Sequence, residues 1–177
     1  MRSFLSFCSP SFLDRAKIGI EQLMRRYPEA QLLEIQGFPV DRGFIRQPHD
    51  AHEIALVFSN MWIRPDDTVH QETLIIRSTG PRTFGQITVI PEPWIGVDTI
   101  RFSDIQMSLD EAINLKRKAG LIRPEDSVFV CKTVSFVNQD ILYIFGSKPP
   151  FHIVNTRTKE VFEEIINFDH PILGANK

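Results

Sequence analysis

The chain reads as an α+β protein of two tandem helix-plus-antiparallel-sheet units, which could share one continuous sheet. Three observations predict this. Two stretches open on Ser-led caps, at Ser11 and Ser108; the first carries apolar side chains at helical spacing from Leu13 to Tyr27, and the second runs from its capping box to about Ala119. Each is followed by short apolar runs of strand length, bounded by Gly, Pro, Asn and Asp. A shift of 96 residues lays Leu13-Asp14 on Leu109-Asp110, Ala16 on Ala112 and Pro28-Glu29 on Pro124-Glu125. Within the helices the match lapses, with Lys17 opposite Ile113 and Ile20 opposite Lys116. The units are expected at 1–96 and 97–177.

The first helix opens at Ser9-Pro10-Ser11, with Asp14 three residues after Ser11. Leu13, Ala16, Ile20, Leu23, Met24 and Tyr27 give it one apolar face, and Pro28 ends it. A strand is expected at 32–35, stopping at Gly37-Phe-Pro39. Residues 40–53 are polar and irregular, and 54–58 is a second strand. Residues 60–71 read as a connection holding Met61, Trp62 and Pro65-Asp-Asp67. A hairpin of 73–77 and 84–90 turns at Gly80-Pro81. The proline-rich stretch 91–96 is the expected linker. A short strand at 99–102 precedes the second helix, which has a capping box at Ser108-Leu-Asp-Glu111 and a left-handed cap at Gly120.

Strands follow at 128–137, 141–145 and 151–154. The last two flank the breaker cluster Gly146-Ser-Lys-Pro-Pro150. Asn155-Thr-Arg-Thr-Lys159 turns the chain into 161–168, whose pattern fits a strand or a short helix.

A chain of 177 residues that is 42% apolar and 24% charged can bury a core. A net charge of −2 gives no reason to expect nucleic acid or an anionic membrane. Arg25-Arg26 and Lys116-Arg-Lys118 read as solvated helix faces. Cys8 and Cys131 have no Cys-x-x-Cys spacing, and Cys131 reads as a buried small hydrophobe. Residues 1–10 mildly imitate a signal peptide, but the apolar run is short and broken by Ser and Pro10. No run approaches the ~20 apolar residues of a membrane span, so a cytoplasmic location is expected.

His49, Asp50, His52 and Glu53 are the best metal or acid–base candidates. His-x-x-His converges on a metal when it lies on a helix. Here it precedes a strand, where the two imidazoles would point to opposite faces, so a surface loop is expected. His70 and His152 read as satisfied or exposed imidazoles. No Gly-x-Ser-x-Gly is present, and the anion-cradle reading of Arg77-Ser-Thr-Gly-Pro-Arg82 lacks a following helix. Neighbours in Asp66-Asp67 and Glu163-Glu164 face apart in extended chain. No catalytic residue, metal or cofactor is therefore expected. Phe38, Met61, Trp62 and Trp94 fall in expected loops, where they are either binding hot spots or covers for the sheet ends.

Ser108-Leu-Asp-Glu-Ala112, with Val154-Asn-Thr-Arg-Thr-Lys-Glu-Val161 after the strands, resembles the PepSY type of small domain. That family has a Leu-x-x-Ala helix and a closing Val-Asp-x-x-Thr-Gly-x-Val turn; here Asn155 replaces the Asp and Lys159 the Gly. Gly146 to Asn155 also looks like the end of small bacterial immunity proteins. Both resemblances imply non-catalytic modules, with peptidase inhibition proposed for some PepSY members and toxin neutralisation for immunity proteins. The expected function is a non-enzymatic module that binds another protein, as an inhibitor or immunity-type partner. The alternative is an enzyme or small-ligand carrier with a pocket of aromatic and His side chains between sheet and helix.

Overall fold

The computed structural model describes residues 10–134 and 139–164. Helix α1 (Phe12–Met24) starts where Ser11 and Asp14 cap each other's backbone amides reciprocally. Strands β1 (Gln31–Phe38), β2 (Glu53–Ile63), β3 (Val69–Gly80) and β4 (Thr83–Ile90) follow as an antiparallel meander. The two-residue β5 (Val97–Asp98) leads to helix α2 (Leu109–Lys118), capped by the Ser108 hydroxyl. A second meander completes the described chain: β6 (Val128–Thr133), β7 (Ile141–Phe145), β8 (Phe151–Asn155) and β9 (Val161–Glu164).

All nine strands form one antiparallel sheet in the order β4-β3-β2-β1-β6-β7-β8-β9, with β5 also paired to β6. The two meanders meet at β1 and β6, from Glu34 opposite Cys131 to Gly37 opposite Val128.

Both helices pack on one face of this sheet. Phe12, Ala16 and Leu23 of α1 and Leu109, Ala112 and Ile113 of α2 share a core with Ile35, Leu56, Leu74, Val130 and Tyr143. The opposite face has its own core, including Leu33, Val57, Ile75, Phe129, Cys131, Leu142, Ile144 and Ile153. Strands buried on both faces lose the apolar–polar alternation. This is why residues 141–145 read as one continuous apolar run, every residue of which is buried. Helix α1 approaches the sheet closely at Gly19, where an added Cβ would lie 2.5 Å from Leu56 Cδ1.

Several boundaries differ from expectation. Residues 60–71 are not a connection: β2 and β3 continue to Ile63 and Val69, and only Arg64 to Thr68 turn. The polar residues that suggested a loop pair across the ladder, Asn60 donating to Glu72 at 2.9 Å. In place of a strand at 99–102, the strand is Val97–Asp98 and a 3-10 turn follows at Phe102–Asp104. Strand β6 ends at Thr133, and residues 135–137 of the expected strand lie outside the described residues. The last apolar segment is a strand over Val161–Glu164; its remainder also lies outside the described residues. No helix among the described residues is long and apolar enough to cross a membrane.

Candidate functional site

Neighbouring strands support only part of the β2–β3 hairpin. Strand β1 pairs with β2 no further than Ser59, and β4 pairs with β3 no nearer the turn than Thr73. Residues 60–63 and 69–72 therefore pair only with each other and project past both neighbours. Met61 is 50% exposed, Trp62 39%, Ile63 69% and Val69 67%. Strand alternation places Trp62 and His70 on the helix-covered side, and Met61, Ile63 and Val69 on the other. The Trp62 and His70 rings stack with centroids 5.6 Å apart. His70 Nε2 is 3.1 Å from the Thr68 hydroxyl, which donates to Asp66. The turn thus holds the platform on which Trp62 lies.

The four residues singled out from sequence do not form one group. Phe38 is not in a loop; it ends β1 and meets the Phe129 ring edge-on at 6.2 Å. Trp94 is half-buried against the second core and donates from Nε1 to Glu34 Oε2 at 3.2 Å. Only Met61 and Trp62 share the projecting tip.

At the opposite end of β2, about 30 Å away by strand rise, lies a cavity of about 840 Å³. Its wall includes Arg15, His49, His52, Ser78, Thr79 and Asp110. The two histidines were expected on opposite faces. They line the same cavity because residues Pro48–Asp50 form a 3-10 turn before β2 begins. Asp50 fixes that turn by accepting from the Arg46 and Gln47 amides at 2.8 and 2.9 Å. No group of three His, Cys, Asp or Glu side chains among the described residues could hold a metal ion.

A third cluster is buried between α2 and β8. Lys116 was expected on a solvated face, but it is 4% exposed. Its ammonium donates to the Arg123 carbonyl at 2.7 Å and lies 3.4 Å from Glu125 Oε1. His152 Nδ1 also meets Glu125 Oε1, at 2.7 Å, and its Nε2 lies 3.1 Å from Glu163 Oε2. Burial lowers the Lys116 pKa, and Glu125 opposes that shift. The signal was present in the sequence: Leu109, Ala112, Ile113 and Lys116 occupy positions i, i+3, i+4 and i+7 of one helix face. Cys131 is buried as expected, and burial raises its thiol pKa well above the ordinary value, which makes it a poor nucleophile.

No protein-family model matches the chain, and neither curated proteins nor solved structures show a significant similarity to it.

Proposed function

We propose that this chain is a non-enzymatic module that binds another protein through the tip of the β2–β3 hairpin. The observation that carries the reading is the cluster Met61, Trp62, Ile63 and Val69, exposed on strands that no third strand supports among the described residues. Exposed Trp and Met on a paired backbone are pre-ordered, which lowers the entropy lost on contact. The tip carries Arg64 against Asp66, Asp67 and Glu72. That acidic excess disfavours an anionic lipid surface and fits a protein groove that is apolar inside and basic at its rim. The inhibitory or immunity-type role implied by the sequence resemblance is one form this binding would take.

The two-unit reading belongs to the same proposal. Counted outward from the β1–β6 junction, each half runs through four strands after its helix. The caps Ser11 and Ser108 are 97 residues apart, as are the strand starts Gln31 and Val128, one residue more than the 96-residue shift that aligns Leu13 with Leu109 in the sequence. Glu34 and Cys131, also 97 apart, face each other across the junction. This supports a diverged duplication folded about a pseudo-two-fold axis between β1 and β6.

The test compares affinity capture from the native source using the wild-type chain, Trp62→Ala and Ile63→Ser as baits. A protein held by the wild-type chain is then purified, and its affinity for each of the three baits is measured. A central hot spot predicts about 2 kcal/mol of loss, roughly thirtyfold, for Trp62→Ala. Equal binding of all three baits to the purified partner would move the interface elsewhere.

A further inference from the structure

Arg15 projects from the first turns of α1 and is 9% exposed. Its Nη1 donates to the Ala51 carbonyl at 2.8 Å, and Nη2 donates to the His52 carbonyl. Its Nε is buried with no hydrogen-bond partner. A guanidinium carries five N–H donors and is always charged, so two carbonyls leave it both under-bonded and uncompensated. Among the described residues no carboxylate forms an ion pair with it. Burial alone lowers its pKa, with no charge partner opposing the shift. An unpaired buried cation is costly, and an anion bound beside it would offset that cost.

The same residue forms part of the wall of the cavity of about 840 Å³. His49 and His52 line it from the 3-10 turn, and Ser78 and Thr79 from the end of β3. The volume is that of a small-molecule site. Glu53 and Asp110 also contribute to the wall, so the cavity is not uniformly cationic.

We propose that this cavity binds a small anion whose carboxylate or phosphate oxygens engage the Arg15 guanidinium, with His49 and His52 at the rim as further donors. Oxyanions suit the guanidinium because they accept charge-assisted hydrogen bonds from two of its N–H groups at once. The anion would balance a charge that the chain itself leaves unbalanced. The site lies at the far end of β2 from the hairpin tip, so it does not depend on the protein-binding reading.

The test titrates the full chain with citrate and, separately, inorganic phosphate, each against sodium chloride at matched ionic strength. Arginine Nε–H and histidine ring signals are followed by NMR. Saturable shifts at Arg15 Nε and His52 with a Kd below about 1 mM support the site. A response to citrate alone assigns carboxylate chemistry, and to phosphate alone phosphate chemistry. His52→Ala should weaken that binding about tenfold, the loss of one charge-assisted bond, while leaving the ligand-free melting point unchanged. Because Arg15 also holds two carbonyls, Arg15→Gln could unfold the chain. The wild-type titration and His52→Ala decide the matter without it. Shifts that chloride reproduces, or that fail to saturate with either anion, overturn the proposal.

Discussion

His152 Nδ1 lies 2.7 Å from Glu125 Oε1, with each side chain less than 5% exposed. Lys116 reaches the same oxygen from α2, and Arg123 reaches it from the connection to β6. Glu125 is therefore the shared carboxylate between the second helix and the sheet, and Lys116 Nζ itself lies 3.3 Å from His152 Nδ1. Gly146 leaves room for the carboxylate: a Cβ there would sit 2.8 Å from Glu125 Oε2. Removing one member of a buried charge network strands the others, which typically costs about 3–5 kcal/mol. Glu125→Ala should lose about that much in urea unfolding. Lys116→Met combined with Glu125→Ala should cost clearly less than the two single losses added together, because the second change removes a charge the first had orphaned. Additive losses would mean that the cluster does not act as a unit.

The two tryptophans should respond in opposite ways. Trp94 packs on the second core and donates to buried Glu34, so Trp94→Ala should destabilise by about 2 kcal/mol or more. Trp62 rests on His70 at the exposed tip, so Trp62→Ala should change stability by less than about 0.5 kcal/mol. Thermal melts of the two variants side by side check this. A large drop for Trp62→Ala would make the tip a structural element and remove the basis for a binding role.

Gly19 sets how closely α1 lies on the sheet. An added methyl group would fall 2.6 Å from the Phe84 ring and 2.5 Å from Leu56 Cδ1. Elsewhere in a helix, Gly→Ala is expected to stabilise. Here Gly19→Ala should destabilise by about 1–3 kcal/mol through overpacking. A rise in melting temperature would show that the helix can lift without loss.

The helices and most strands were legible because their signals are local: Ser11 with Asp14, Ser108 with Glu111, and the apolar run 141–145. Residues 60–63 and 69–72 were not, because a two-stranded extension has no core face and shows no apolar alternation. The candidate surface was only half legible. Phe38, Met61, Trp62 and Trp94 look alike in sequence, and only the fold separates the tip residues from those packed on the second core. The cavity was hidden for a different reason. Arg15, His52 and Thr79 are distant in sequence and meet only once α1, the 3-10 turn and the end of β3 are packed. Lys116 shows the converse error, in which a charged residue type outweighed a core-facing position.

The turn between β8 and β9 gives a prediction in pH. Asp140 Oδ1 accepts from Arg157 Nε at 2.6 Å, and Oδ2 accepts from Arg157 Nη2 and Asn155 Nδ2 at 2.8 and 2.9 Å. Asn155 Oδ1 in turn accepts from the Arg157 and Thr158 amides, so the carboxylate anchors the whole turn. The Arg157 and Asn155 bonds hold the Asp140 pKa below its ordinary value of 3.8. A carboxylate with a depressed folded-state pKa binds fewer protons folded than unfolded, so stability falls as pH falls. Its contribution is complete above the unfolded value and is lost as pH drops through the lower folded value. Asp140→Asn should therefore be less stable than wild type by about 1 kcal/mol at neutral pH. The gap should hold down to about pH 5 and close progressively below about pH 4. Urea unfolding across that range measures it. A gap that stays constant to about pH 2, or widens, would show that the ionised carboxylate is not what stabilises the turn.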